Sequence, residues 1–410
     1  MSGARTVTAE DVARARAAIA DVARRTPVLT SATLSGLFGA PVVLKAETLQ
    51  RTGSFKLRGA LNRLASLGDA ASAGVVCGSA GNHAQGVALA ASARGVPCEV
   101  FMPADAPIAK VEAVASWGAR VELVGSSVEE SLEAALARTA ETGRAFIHPF
   151  NDPDVIAGQG TLGLELLEDV PDLSTVVVPI GGGGLASGGG GAIKSARPEV
   201  RIVGVQAAAV APFPASLQAG RPVTVGAALT IADGIAVKRP GDLTLPLIRE
   251  HVDEVVVVDD DQIAEAIILL LERAKLVVEG AGAVGVAAIL ARLIEPPESG
   301  TTAIVLSGGN IDPGLLEAIA RRHESQAGRR HVLLTRVPDR PGALVRLLQA
   351  VADAGANVVD VSHLREGLDL HVRQTAIQLV VETRSREHAD AVVEAVRAAG
   401  YDIARRPQGA

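Results

Sequence analysis

Cysteine, aromatic residues and excess positive charge are all scarce in this chain, and each scarcity removes a class of function. Cys77 and Cys98 are the only thiols among 410 residues. Two are too few for a disulfide framework or a thiolate metal cage, so they read as small buried hydrophobes in a reducing compartment. Aromatics make up 2% of the chain, with Trp117 and Tyr401 each single of their kind, which excludes a platform for stacking bases. Lysine plus arginine number 39 against 46 acidic residues, a formal charge of −7, so no basic excess is available to neutralise a phosphate backbone. Nucleic acid is thereby excluded as a partner. Long unbroken apolar runs are missing too: Val176 to Ile193 is interrupted by eight glycines, and Ile202 to Gly220 by Pro212 and Pro214, so neither is a membrane span and no membrane partner is expected. The amino terminus lacks the basic segment and apolar run of a secretory signal, and a cytoplasmic location is expected.

What is present is a globular chain, 48% hydrophobic and 21% charged, long enough for roughly two to three compact units at about 150 residues each. From residue 8 to about 320, short β-branched runs alternate with Ala- and Leu-rich stretches of helical length, the pattern of βαβ units and a mostly parallel sheet. The fold class is α/β. Thr8 and Asp11 predict a capped helix running to Arg24. Strands are expected at 41–46, 74–77, 97–102, 120–124, 175–179, 200–206, 254–258 and 302–306. The polar, basic segment 321–330 has the composition of a linker. Beyond it the order strand, helix, strand, strand, helix, strand over 331–404 is βαββαβ, the ferredoxin-like arrangement.

Four constellations carry chemistry. In the first, Thr52-Gly53-Ser54-Phe55-Lys56-Leu57-Arg58, a glycine turn places Lys56 in the first turn of a helix, where a cation is disfavoured by about 0.3–1 kcal/mol. A neutral amine suits that place better, and Schiff-base chemistry needs one. In the second, Ser79-Ala80-Gly81-Asn82-His83 follows a strand and opens a helix whose free N–H groups suit a carboxylate, while Asn82 offers an amide to a phenolic oxygen. The third, Gly181-Gly182-Gly183-Gly184-Leu185, again joins strand to helix. It reads as a cup for one phosphomonoester, since it lacks both the Walker lysine and dinucleotide glycine spacing. Gly189, Gly190 and Gly191 predict a late or frayed start to that helix, because each interior glycine costs about 1 kcal/mol against alanine. In the fourth, Ser307-Gly308-Gly309-Asn310, a strand end presents a hydroxyl suited to a heteroaromatic nitrogen. Glu279 and Asp233 sit in further small-residue loops that shape a cavity.

Together these motifs resemble the threonine/serine dehydratase family of fold-type II pyridoxal phosphate enzymes, whose sheets are mostly parallel and tryptophan synthase β-like. TGSFKLRGA, SAGNHAQGVA, PIGGGGLASG, DGIAVKRPG, VEGAGA and SGGN occur in family order across about 8–320. The resemblance implies a catalytic part at 1–320, built of two α/β lobes with the smaller at about 50–150. It makes Lys56 the Schiff-base lysine and the base at Cα, with Ser79 also catalytic. Phe55, Asn82, Gly181 to Gly184, Leu185 and Ser307 would hold the cofactor, and Ser79, Gly81, Asn82 and His83 the substrate. Ala80 stands where serine racemases carry a second serine, which favours deamination. Gln206, Val210 and Pro212 stand where racemases place carboxylates for a divalent cation, so no metal is expected. Thr48 replaces the family's usual asparagine. The segment 331–410 resembles an ACT domain through Asp339-Arg340-Pro341-Gly342. That implies an amino-acid effector and a homo-oligomer, dimer or tetramer. The expected activity is therefore lyase chemistry on threonine, serine being a second substrate; a serine dehydratase or racemase, or an amino-acid sensor with a degenerate lyase body, are the alternatives.

Overall fold

A computed structural model describes residues 7–226, 228–365 and 371–405. Fourteen strands follow in chain order among them: β1 Val28–Thr30, β2 Val42–Ala46, β3 Val75–Gly78, β4 Cys98–Met102, β5 Arg120–Leu123, β6 Ala145–Phe146, β7 Leu173–Pro179, β8 Arg201–Ala207, β9 Glu254–Val258, β10 Thr301–Leu306, β11 Arg330–Pro338, β12 Asn357–Leu364, β13 Gln374–Glu382 and β14 Ile403–Arg405. They form sheets ordered β1-β2-β10-β7-β8-β9, β5-β4-β3-β6 and β12-β13-β11-β14. The first is parallel apart from the antiparallel β1–β2 pair, the second is wholly parallel, and the third wholly antiparallel. All eight strands expected before residue 310 are present. The two short ones that patterning did not reveal, β1 and β6, are of three and two residues, too brief to show an alternation.

Thr8 and Asp11 form the predicted capping box, but the helix Ala9–Ile19 stops short of Arg24. The chain divides into compact units at Met1–Ile311 and Asp312–Ala410, and here the linker expectation at 321–330 is corrected. A helix, Pro313–Gln326, runs through most of that segment, capped by Asp312, whose carboxylate accepts from the N–H groups of Gly314 and Leu315. Its polarity is that of a solvent-facing helix, along which Ile319 is the one residue fully buried. The second unit otherwise follows the expected order, its apolar core drawn from Leu333, Leu347, Val351, Ile377 and Val393.

The glycine-rich helix also departs from expectation. It spans Gly184–Ala196 without a break, capped by Gly183 at φ +96°. Gly188 is required there by a neighbour: a Cβ at this position would lie 2.1 Å from the Ile156 carbonyl oxygen on the helix Pro153–Asp169. That helix approaches a third one, Lys56–Leu67, as closely, since a Cβ on Gly158 would lie 2.6 Å from Arg58 O and from the Gly59 Cα. Backbone-to-backbone contact thus offsets the poor helix propensity of glycine and seats the helix that begins at Lys56. Gly189 is different, because a Cβ on it meets nothing within 4 Å. Gly188→Ala should therefore destabilise by about 1–3 kcal/mol through overpacking, whereas Gly189→Ala should gain about 1 kcal/mol of helix propensity. Urea midpoints moving in opposite directions are the expected result, and midpoints that move together would refute it.

Candidate active site

Four loops meet where parallel strands end. β2 leads into the segment before Lys56, β3 into Ser79–His83, β7 into Gly181–Gly184 and β10 into Ser307, the carboxyl-end placement at which open α/β sheets bind ligands. A bridge between Ser54 and Gly308, with Phe55 N–H donating to Ser307 O at 3.1 Å, ties the first loop to the last.

Lys56 is the first residue of its helix, after Phe55 in the cap position. Its Nζ donates to the Pro149 carbonyl at 2.9 Å and lies 5.2 Å from the centre of the Phe55 ring. Burial pushes the amine down from 10.5 to about 8, against the opposing pull of Glu279. His148 and His83 are also held neutral, at about 4 and about 3, by burial first and by Lys56 second. A sign follows for stability. The folded amine gives up its proton near pH 8, while the unfolded one keeps it to 10.5, so in this window the unfolded chain binds more protons and stability rises with pH. In ligand-free protein, Lys56→Met should raise the melting temperature most below pH 8, the gap shrinking toward pH 10.5. A pH-independent gap would contradict the buried amine.

The glycine loop is moulded to its surroundings. A Cβ on Gly182 would strike the Phe150 ring at 2.3 Å, and one on Gly183 would meet Thr244 at 2.8 Å. The Thr244 hydroxyl donates to Gly182 O at 2.6 Å, turning that carbonyl away from the cup. The first N–H groups of the helix behind it, with Leu185 buried beneath, face no intrahelical acceptor. A backbone cup of this kind has the donors to hold an anion.

Ser79 and Asn82 stand at the corresponding end of β3. Gly81 N–H donates to the Ser79 hydroxyl at 3.2 Å and caps the helix Asn82–Arg94. The Asn82 amide donates to Glu279 Oε1 at 2.6 Å and accepts from Asn310 Nδ2 at 2.7 Å. The His83 ring is buried and bonded through Nε2 to Ile147 O at 2.8 Å, so its side chain is spent on the core. What residue 83 offers an anion is its backbone N–H. Ser307 is buried, with its hydroxyl 3.4 Å from Ala281 O.

The structure adds residues that sequence reasoning missed or weighed lightly: Pro149 beside Lys56, Phe150 under the cup, Thr244 beside it, and Glu279 and Asn310 on Asn82. Phe150 carried a faint signal, an aromatic in a loop of an aromatic-poor chain; the others are joined to their partners only by folding. Thr48 packs its side chain beside Gly309, where a Cβ would come within 3.2 Å, and its hydroxyl is buried without a partner among the described residues. At the racemase cation position Gln206 is wholly buried, donating to Ile180 O and accepting from Phe213 N–H.

These groups fit pyridoxal phosphate by their chemistry. A backbone cup with no room for a Cβ at Gly182 or Gly183 suits the phosphate, a depressed amine suits the aldehyde carbon, and an amide and a hydroxyl remain for the ring's polar atoms. The comparisons agree. The profile of the pyridoxal-phosphate dependent enzyme family matches residues 19–308, and that of the ACT domain matches 331–400. The chain is 48% identical to an L-threonine ammonia-lyase of Thermotoga maritima over 97% of its own length and 99% of the relative's. It is likewise 48% identical to an L-threonine ammonia-lyase of Geobacter sulfurreducens, over 92% and 94%. Among solved structures, maize serine racemase superposes with a TM-score of 0.74 at 39% identity, covering 78% of this chain and 99% of that one. A T.th. threonine deaminase does so with 0.71 at 43%, covering 74% and 99%. No helix among the described residues is long and apolar enough to cross a membrane. The chain belongs to the family of pyridoxal-phosphate dependent enzymes and carries a C-terminal ACT domain.

Proposed function

We propose that this protein is an L-threonine ammonia-lyase, releasing 2-oxobutanoate and ammonia, with L-serine yielding pyruvate as a second substrate. The observation that carries the reaction type is the depressed Lys56 amine, set at the meeting point of the glycine cup, the Asn82 amide and the Ser307 hydroxyl. Threonine as the substrate is supported by the two relatives that match along nearly the whole chain. Bound pyridoxal phosphate supplies the electron sink that makes the substrate's Cα–H acidic. Gly181 to Gly184 would hold its phosphate, Asn82 its 3-oxygen and Ser307 its ring nitrogen, with Phe55 and Leu185 also against the cofactor. The N–H groups and hydroxyl of the Ser79–His83 loop hold the substrate carboxylate. Lys56, neutral above about pH 8, takes the Cα proton. Ser307, a hydroxyl rather than a carboxylate, would meet the ring nitrogen without protonating it, the arrangement that would favour loss of the β-hydroxyl over transamination. Water leaves across Cα–Cβ, and the released enamine takes water up again to give the 2-oxo acid and ammonia.

Ala80 has no side-chain proton to deliver to the opposite face of Cα, so deamination is favoured over racemisation. Gln206, with both ends of its amide bonded to backbone, offers no carboxylate, in keeping with a metal-independent enzyme. In the second unit, Gly342 at φ +82° caps the helix Ala343–Asp353; the Ala343 N–H already donates to Arg340 O at 3.2 Å, and the next N–H groups remain for the carboxylate of an amino-acid effector, isoleucine or valine, in a homo-oligomer located in the cytoplasm. The test is 2-oxobutanoate release from L-threonine with cofactor present, with and without isoleucine and valine, beside L-serine and with chiral analysis of residual substrate. Turnover on threonine that shifts with a branched-chain amino acid is expected. Accumulation of D-serine without 2-oxo acid would replace this reading with a racemase, and cofactor binding without turnover would replace it with a sensor.

A further inference from the structure

Asn82 has an amide whose oxygen and nitrogen are interchangeable in shape, yet only its nitrogen has a proton to give. Something must decide which end faces the site. The structure supplies a chain of hydrogen bonds that begins at a group unable to flip. The Thr52 carbonyl oxygen is backbone and accepts only; it receives Asn310 Nδ2 at 2.8 Å. That pins the nitrogen of Asn310 on this side, and the same nitrogen donates to Asn82 Oδ1 at 2.7 Å. The oxygen of Asn82 is therefore turned toward Asn310, and its nitrogen toward Glu279 Oε1 at 2.6 Å. Asn82 Nδ2 carries two hydrogens, and the second has no acceptor among the described residues.

Glu279 is built into this arrangement. It is buried at the N-cap position of the helix Gly280–Leu290, and the nearby Asn310 backbone N–H favours its charged form. Gly308 leaves the space: a Cβ there would lie 2.3 Å from Glu279 Oε1 and 3.1 Å from Asn82 Nδ2. Gly53, at φ +69°, makes room for Asn310 in the same way, its Cβ position being 2.6 Å from Asn310 Oδ1. Three residues from distant parts of the sequence are thus locked into one donor direction. Facing Glu279 are Asp233, Lys110 and Lys56, and Asp233 pairs with Lys110 at 3.5 Å.

We infer that Asn310 and Glu279 are positioning residues that fix the Asn82 amide so that its unused N–H points at the 3-oxygen of the cofactor. The inference rests on the proposed contact between Asn82 and that oxygen. Asn310→Asp keeps the size but removes the donor, so neither Thr52 O nor Asn82 Oδ1 is satisfied and the Asn82 amide is free to turn. Glu279→Gln keeps an acceptor for Asn82, whereas Glu279→Ala removes it.

The experiment measures pyridoxal phosphate dissociation constants, and the balance between the long- and short-wavelength absorbance bands of the bound cofactor, which reports the bonding of its 3-oxygen. The expected result is cofactor affinity about tenfold weaker for Asn310→Asp and Glu279→Ala, an effect of the size one hydrogen bond contributes, with a shifted band balance. Glu279→Gln stays close to wild type. A double-mutant cycle separates positioning from general damage. In an Asn82→Ala background, Asn310→Asp should add nothing, because it acts through Asn82. Wild-type affinity and spectrum in Asn310→Asp, or full additivity in the cycle, would overturn the inference. Wild-type affinity and spectrum in Asn82→Ala alone would instead remove the underlying contact, so the two failures are distinguishable. If Asn310→Asp melts early, Glu279→Ala carries the same cycle.

Discussion

Lys56→Ala should lower turnover of L-threonine by about a thousandfold or more, within the range that general-base catalysis contributes, while the circular dichroism spectrum and the urea midpoint show an intact fold. The separation of effects follows from position. Lys56 Nζ spends its bond on the Pro149 carbonyl and the buried amine opposes stability at neutral pH, so the fold does not depend on it. On the role proposed for Lys56 the cofactor also loses its covalent anchor, and the variant should hold pyridoxal phosphate weakly and without the absorbance of the lysine-linked form. Turnover that persists at the wild-type level with Lys56 absent would remove the mechanism altogether.

Arg58→Ala, two residues further on, should do the reverse and strike stability first. The guanidinium is buried at 1% exposure, donating to both oxygens of Glu47 at 2.9 and 2.8 Å and to both of Glu165 at 2.6 and 2.9 Å. Lys45, also buried, pairs with Glu165 at 2.6 Å. Removing Arg58 strands the Glu47 carboxylate in the interior, while Glu165 keeps Lys45, a loss of about 3–5 kcal/mol for a broken buried pair. The pH dependence identifies the cause. Burial pushes the Glu47 carboxyl up, but the charge and hydrogen bonds of Arg58, helped by Thr26 and Lys45, hold it below its ordinary 4.5. In the wild type this stabilisation is present above pH 4.5 and is lost as the pH falls through the lowered value. In Arg58→Ala burial acts unopposed by the guanidinium and the carboxyl takes up a proton more readily, so the deficit should shrink in acid. Denaturant unfolding of both proteins from about pH 4 to 8 measures this, and a deficit constant with pH would assign the loss to packing alone.

The two residues show how unevenly meaning is spread along a sequence. Lys56 was legible because a cation in the first turn of a helix is out of place and the glycine turn before it is specific. Arg58 looked like any charged residue on an amphipathic helix, and its burial depends on Glu47 and Glu165, which no local pattern ties to it. The same holds for the glycines. Gly181 to Gly184 read as a phosphate cup from their place between strand and helix, whereas Gly189 to Gly191 read as a weakness in a helix that forms without a break, seated through Gly188 against the Ile156 carbonyl.

What the sequence by itself determined is whatever follows from near neighbours. The α/β alternation, the positions of the main strands, the βαββαβ order of the second unit, the helix start at Lys56 and the glycine turn into the helix at Gly184 all come from periodicity, turns and caps acting over a few residues. The tertiary structure decided the rest. It turned a polar stretch at 321–330 into the end of a helix, withdrew the His83 ring into the core, and set Glu279 and Asn310 on Asn82 from 197 and 228 residues away. The physical reason is that burial and hydrogen-bond partners are properties of the packed molecule, and packing joins residues whose sequence separation carries no local signal.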